Sequence, residues 1–278
     1  MQSDDGARPG GILHPKKEMP SSVRITARDV VAANRAAYDR KDYDDYASNP
    51  SIFEPSRQRR LEAILSEMSR ETGGGVLVDV GSATGNIPRL ALGKYRTIAA
   101  LDLSRPLLCE LHRRLPTILG LAGAAETLPL RTGSADAVCA YGVLHHLFDP
   151  AALVREAARI LRPGGILYTD HDPNRLLARF YHPLYRWRFR GRTGFRDEIE
   201  ELAEYHHTHE AGVDAEGLAA ASREAGFDRV EIRYWLTTNP RLPGWQRLAR
   251  CALAALGSVV PARSLRTHFA IRARRGPF

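Results

Sequence analysis

Val76-Leu77-Val78-Asp79-Val80-Gly81-Ser82-Ala83-Thr84-Gly85-Asn86 is the stretch on which the fold of this chain turns. Its first five residues form an apolar, β-branched run of the kind that fills a strand buried on both faces. The run carries one acid and ends at a pair of glycines, and a helix is expected from Asn86. Gly81 and Gly85 have no Cβ, so the backbone can turn sharply and approach a ligand where the next helix presents unpaired N–H groups. A second apolar run, residues 97–101, delivers another acid, Asp102, 23 residues after Asp79. Strand, glycine turn, helix, strand and acid in this order make a βαβ unit of the nucleotide-binding kind.

Asp79 narrows the choice of ligand. A dinucleotide fold places a diphosphate over this turn, and a carboxylate beside the first glycine repels a diphosphate and attracts an ammonium group instead. The spacing Gly-x-x-x-Gly also departs from the Gly-x-Gly-x-x-Gly of dinucleotide sites. A nicotinamide-dependent oxidoreductase is therefore the weaker alternative. The blandest alternative is a tight turn in which Asp79 caps the helix and Asp102 merely ends a strand; the spacing of the two acids argues against it.

Outward from this unit the hydrophobic pattern alternates regularly. Helices are expected over residues 23–46 and 55–68, then strand 75–80, helix 86–92, strand 97–101, helix 106–115 and strand 118–121. Strands 136–141 and 165–170 flank a helix at 151–161, which Arg162-Pro163-Gly164-Gly165 is expected to stop. A helix at 214–225 capped by Asp214, a sixth strand at 230–236 and a seventh at 268–273 complete the series. Such alternation predicts an α/β fold: a Rossmann-like, doubly wound, mostly parallel seven-stranded sheet.

Composition sets further bounds. The chain has 278 residues, 44% of them hydrophobic, enough for one substantial core in one decorated domain. Three widely spaced cysteines suggest neither a disulfide framework nor a metal cluster, which fits a reducing, cytoplasmic setting. Residues 1–22 mix Gly, Pro, Asp and Lys without a continuous apolar core and read as a flexible tail rather than a signal peptide or membrane span. The net charge of +8 is uneven. Residues 173–196 hold seven arginines and residues 241–275 hold eight, with no acid or lysine in either stretch, so the remainder of the chain is net negative. Aromatic and apolar residues recur at helical spacing within both stretches, which allows an amphipathic cover, a surface for an acidic or lipophilic substrate, or peripheral contact with an anionic membrane.

The chain resembles the class I S-adenosylmethionine-dependent methyltransferases over roughly residues 76–170. The motif acid-x-Gly-x-Gly-x-Gly stands here as Asp79 to Gly85, with Ala83 in place of the middle glycine. Ala124-Ala125-Glu126-Thr127-Leu128-Pro129-Leu130 is similar to the family's Asp-Ala-Glu-x-Leu-Pro-Phe, with Ala124 in place of the aspartate that commonly meets the adenine amino group. The resemblance implies S-adenosyl-L-methionine as cofactor. It implies that Asp79, Gly81, Ser82, Ala83, Thr84 and Gly85 hold the methionine end, that Asp102 with Leu103 meets the ribose, and that Ala125, Glu126 and Tyr141 line the rest. It further implies an N-terminal helical lid at residues 23–72, similar to that of quinone-methylase-like enzymes, ahead of a methyltransferase core at 73–278. Helical inserts follow strand 5 and lie between strands 6 and 7, at about 173–225 and 240–265. The activity implied is methyl transfer to an oxygen, nitrogen or carbon of a small, hydrophobic or acidic metabolite; a cofactor-binding subunit without turnover is the alternative. Nucleic acid is disfavoured, because Tyr141-Gly142-Val143-Leu144 stands where base amino-methyltransferases carry Asn/Asp-Pro-Pro-Tyr.

Tyr141, His145, His146, His171 and Asp172 fall at or just beyond expected strand ends, where ligands bind in such sheets. A histidine there can deprotonate the acceptor, and His145, His146 and His171 are the catalytic candidates. Packing and cofactor contact are the plainer roles for the same side chains, since alignment alone drives much of a methyl transfer. On a helix His206, His209 and Glu210 would share one face as a metal site. With no thiolate nearby and a new helix starting at Asp214, the segment reads instead as a loop, either a polar one facing substrate over the cleft or a plain surface loop, and no metal is expected.

Overall fold

The computed structural model describes residues 24–48, 53–179, 182, 197–236, 263 and 266–277. The expected tail at 1–22, most of both arginine-rich stretches and the insert at 240–265, Arg263 excepted, lie outside the described residues.

Helix α1 (Ala27–Asp39) begins at Thr26, whose hydroxyl accepts from the Asp29 amide while the Asp29 carboxylate reaches back to the Thr26 amide. A single helix over 23–46 is not what forms. The Asp42 carboxylate accepts from the amides of Asp44 and Asp45 and starts a separate short helix, α2 (Tyr43–Ala47). Helix α3 (Pro55–Thr72) has proline in its first turn and ends at Gly73, whose φ of +78° supplies the left-handed cap.

Seven strands follow in one sheet: β1 (Val76–Val80), β2 (Thr97–Asp102), β3 (Leu119–Ala122), β4 (Ala135–Tyr141), β5 (Leu161–Pro173), β6 (Phe227–Trp235) and β7 (His268–Arg275), in the order β3-β2-β1-β4-β5-β7-β6. The pairs β1/β2, β2/β3, β1/β4 and β4/β5 are parallel, whereas β7 runs antiparallel to both β5 and β6. The turn expected at residues 162–165 is part of β5 instead, and the preceding helix is capped by Leu161, not by glycine. Pro163 explains this, because a proline holds the residue before it in extended backbone.

Further helices bounded within the described residues are α4 (Asn86–Ala91), α5 (Arg105–Arg114), α6 (Pro150–Ile160), α7 (Glu198–Ala203), α8 (Tyr205–Thr208) and α9 (Ala215–Glu224). As expected, Asp214 caps α9, accepting from the Gly217 amide. Residue alternation along the strands sorts the core into two layers. Leu77 and Ile98 pack with Leu61, Leu65 and Met68 of α3 and Leu107 and Leu111 of α5. Val78, Val80 and Phe269 pack on the other face with Leu153, Val154 and Ala157 of α6 and Leu218 of α9. The sheet is thus covered on both sides, and the chain leaves β1 for β2 on one side and reaches β4 on the other. That reversal opens a crevice at the carboxyl ends of β1 and β4.

Candidate functional site

The crevice holds a cavity of about 390 Å³ whose floor is the turn after β1: Asp79, Gly81, Ser82, Ala83 and Thr84, with Asn86 beside them. A second space of about 80 Å³ adjoins it, lined by Asp102, Leu103, Ala125 and Glu126. Gly81, Ala83, Tyr141 and His146 line both. Of the eleven residues expected at the cofactor, only Gly85 lines neither; it caps α4 with a φ of +78°, and an added Cβ would lie 2.4 Å from Leu111 Cδ1. Gly81 has φ +69°, and a Cβ there would meet Val143 Cγ2 at 2.5 Å. Ala83, where the motif ordinarily carries glycine, also adopts a positive φ, +42°.

The electrostatics of the floor are unusual. Asp79 is 2% exposed, and burial, with the Asp102 charge nearby, pushes its carboxyl well above the usual range. Among the described residues no cation pairs with it, and Lys41, which lines the same cavity, lies 3.8 Å from Glu200 instead. Ser82 Oγ and both side-chain polar atoms of Asn86 are buried without hydrogen-bond partners among the described residues. An ammonium and carboxylate pair would supply what these groups lack, so the methionine end of S-adenosylmethionine fits this floor. Asp102 is differently placed. Its Oδ2 accepts from the Ala83 amide and its Oδ1 from the Ser104 amide, both at 2.8 Å, so it also fastens the glycine turn to β2. Burial raises its pKa and those backbone donors oppose the rise. Glu126, likewise raised by burial, keeps Oε1 buried and unpartnered in the smaller space, near where Ala124 leaves the adenine contact unprovided.

All three candidate histidines line the larger cavity. His145 and His146 form a 3₁₀ turn, Leu144–His146, after β4, and His171 sits in β5 with a φ of +71°. His146 is fixed on both nitrogens. Nδ1 lies 2.8 Å from the Ala203 carbonyl, which can only accept, so Nδ1 carries the proton and Nε2 accepts from the Tyr38 hydroxyl at 3.0 Å. Asn34 of α1 donates to the His146 carbonyl at 2.8 Å. His145 Nδ1 lies 2.8 Å from Oδ1 of Asp172, a fully buried carboxylate that also accepts the His145 amide. With Nδ1–H donating to Asp172, Nε2 of His145 presents a lone pair to the cavity. Burial holds the imidazoles of His145 and His171 well below the usual histidine range. The His171 ring stacks between Tyr141 and His268, with centroids at 5.2 and 4.9 Å.

The wall opposite the floor comes from elements far away in the chain. Tyr38 and Tyr46 meet edge to face at 6.0 Å although their helix is broken, and the Tyr43 hydroxyl donates to the Thr84 carbonyl at 2.7 Å. Lys41, Glu200, Glu204 and His207 complete this side. The expected face of His206, His209 and Glu210 does not form, because α8 is only four residues long. The same segment instead turns His207 into the cavity. Glu204, His207, Asn86 and His268 were not singled out as site residues by the sequence; the polar character of residues 205–210 hinted at His207, and Asn86 was read only as the start of a helix.

Residues 78–169 match the family model described as a methyltransferase domain. A probable S-adenosylmethionine-dependent methyltransferase of Mycolicibacterium smegmatis is 27% identical over 176 residues, covering 63% of this chain and 66% of that protein. An uncharacterized methyltransferase of Mycobacterium bovis is 36% identical over 91 residues, 33% of this chain and 37% of its own length. The chain therefore spans between about a third and two thirds of the curated relatives it matches. In fold it is similar to the solved structure of Haemonchus contortus phosphoethanolamine N-methyltransferase 2 in complex with S-adenosyl-L-methionine. That likeness has a TM-score of 0.57 and 15% identity, and covers 94% of this chain and 62% of that one.

Proposed function

We propose, for a chain that belongs to the class I S-adenosylmethionine-dependent methyltransferases, that it transfers a methyl group to an oxygen, nitrogen or carbon of a small metabolite in the crevice above β1 and β4. The observation that carries this reading is the floor: a buried, uncompensated Asp79 beside the unpartnered Ser82 and Asn86, in the same cavity as three neutral-leaning or fixed imidazoles. S-adenosylmethionine supplies, when bound, an electrophilic methyl on a sulfonium. Asp79, Ser82 and Asn86 hold its amino-acid end, and Asp102 and Glu126 meet its adenosyl end. His146 acts as a latch, joining α1 through Tyr38 and α7 through Ala203. Residues 24–48 thereby serve as a lid that keeps water from the reacting atoms. His171, kept neutral by burial, takes the proton of an acceptor hydroxyl or amine as the new bond forms.

The described wall opposite the floor is polar, with Lys41, Glu200, Glu204, His207 and His268, which favours an acceptor that is polar around its reacting atom. The hydrophobic or acidic character suggested by the arginine-aromatic stretches, and any contact with an anionic membrane, rest on segments outside the described residues. No helix among the described residues is long and apolar enough to cross a membrane.

The test is incubation of the purified chain with methyl-labelled S-adenosylmethionine and a metabolite extract, read by mass spectrometry. A labelled small molecule with matching S-adenosylhomocysteine is the expected result. Cofactor binding with no S-adenosylhomocysteine across such extracts would make the chain a binding subunit and overturn the reading. Unchanged turnover of His171→Ala at saturating cofactor would remove the base role.

A further inference from the structure

At the acceptor side of the cavity, three side chains to which the methyl-transfer reading gives no proton to move and no bond to make converge on one point. Asp172 at the end of β5 is fully buried and holds His145 Nδ1 at 2.8 Å, which aims Nε2 at the corner between α7 and α8. Glu204 forms that corner, being the last cap of α7 and the first of α8, and His207 follows one turn later. Glu204 Oε2 stands 3.6 Å from His145 Nε2 and 4.0 Å from His207 Nε2. One donor atom from each of the three side chains lies within 4.8 Å of the other two.

These separations are too long for hydrogen bonds. They are also close to what a shared ion needs. Ligand bonds of about 2.0–2.2 Å place tetrahedral donor atoms about 3.3–3.5 Å apart, so small rotations of Glu204 and His207 close the set. Both are free to make them: their side chains are 28% and 41% exposed, whereas His145, 12% exposed, is clamped by Asp172. A carboxylate on the far nitrogen of a ligating histidine is the usual outer support of such sites.

We propose that His145 Nε2, the Glu204 carboxylate and His207 Nε2 form a site for a borderline divalent transition-metal ion such as Zn²⁺, with Asp172 as the outer partner that orients His145. Two imidazoles and one carboxylate suit such ions and not Mg²⁺ or Ca²⁺, which prefer all-oxygen sets. Three protein ligands leave at least one coordination position, and it faces the same cavity as Asp79. Resting on the methyl-transfer reading, the acceptor class this implies is a molecule that places an oxygen donor, a hydroxyl or an enolisable carbonyl, on the ion beside its reacting atom.

Cobalt(II) is the probe, titrated into chelator-stripped, untagged full-length protein and followed by its visible ligand-field bands. The expected result is saturable one-to-one uptake with bands typical of nitrogen ligands at low coordination number. Asp172→Asn should weaken uptake by about 10–100-fold, and His207→Ala or Glu204→Gln by more than that. His209→Ala, outside the set, should bind as the wild type does. Circular dichroism checks that each variant is folded. No saturable uptake by the wild type overturns the site, as does uptake unchanged in both His207→Ala and Glu204→Gln. Titration of S-adenosylmethionine into the same preparations separates the two readings: cofactor binding without cobalt uptake removes only the metal site, and cobalt uptake without cofactor binding removes only the methyltransferase reading.

Discussion

Cofactor binding should be coupled to release of a proton from Asp79. Burial raises the pKa of this carboxyl and no cation pairs with it among the described residues, so between the ordinary carboxylate range and the raised value the free protein carries it protonated. Placing an ammonium against it favours the carboxylate and expels that proton. The sign follows from linkage: below the raised pKa of the free protein, affinity falls as pH falls, approaching about tenfold, or ~1.4 kcal/mol, per pH unit. The useful window is about pH 5–7, where amino-acid ammonium and carboxylate groups are both ionised. Isothermal titration with S-adenosylmethionine in two buffers of different ionisation enthalpy measures the protons released. In Asp79→Asn the release should vanish, and affinity at neutral pH should drop by the roughly 1.5–3 kcal/mol expected of a hydrogen bond to a charged group. Cofactor-induced thermal stabilisation should rise with pH in the wild type, because free-protein stability declines as pH rises through the raised Asp79 pKa and the ammonium removes that penalty. Buffer-independent heats and a flat affinity across this window would refute the assignment of Asp79 to the ammonium. A proton release that persists in Asp79→Asn would transfer the linkage to Asp102, whose pKa is also raised by burial.

Gly81→Ala should destabilise by about 2–4 kcal/mol in urea melts, because a left-handed φ costs an alanine roughly 1–2 kcal/mol and Val143 has a single stiff rotamer in the way. Gly85→Ala carries the same φ cost but meets the end of Leu111, which can swing aside, so its loss should be the smaller of the two. Tyr38→Phe removes the hydroxyl that His146 accepts and should raise the cofactor KM about 2–10-fold with the fold intact, from a hydrogen bond worth about 0.5–1.5 kcal/mol. His171 refuses a proton that the unfolded chain accepts near pH 6.5, so its contribution to stability is complete above that pH and declines below it, by at most about 1.4 kcal/mol per pH unit. His171→Gln should flatten the slope of stability between pH 7.5 and 5.5.

How much of this was legible in the sequence depends on the range over which each signal acts. The glycine turn, Asp79 and Asp102 were readable because their spacing is set within one βαβ unit. The seven strands were readable because each carries its own apolar run, but the start of β5 at Leu161 was not, since it pairs with Ala135 of β4 ahead of a bulge that holds residues 162–165, and that pairing leaves no local signal. The break at Asp42 was missed for another reason: continuous periodicity outweighed one capping acid. The cluster at residues 204–210 shows the sharpest limit. A face built from His206, His209 and Glu210 presumes a helix long enough to have faces, and the chain bends at Glu204 after only six residues of α7. His207 and Glu204 then meet His145, about sixty residues earlier, a contact that only tertiary packing decides.

The acids at the strand ends differ in what the protein sets against their charge. Asp79, Asp102, Asp170 and Asp172 are all buried at the carboxyl ends of strands, and burial pushes each pKa upward. Three of them have compensation within the protein. Asp102 takes backbone amides, Asp170 pairs with Arg60 at 2.7 Å, and Asp172 accepts the amide and imidazole of His145. Asp79 has the Asp102 charge nearby and, among the described residues, neither a paired cation nor a hydrogen-bond donor to set against it. A carboxylate left in that state is costly to the free protein, by several kcal/mol on general grounds, and is kept only where something from outside completes it. By the same reasoning, the groups with internal partners are structural first: removing Arg60 should destabilise the fold by stranding Asp170, whereas removing the Asp79 charge should, if anything, stabilise the free protein while weakening its affinity for the cofactor by the roughly 1.5–3 kcal/mol given above. That opposition between stability and binding is expected of Asp79 and not of Asp102 or Asp170, and it is what the proposed contact between Asp79 and the cofactor's ammonium rests on.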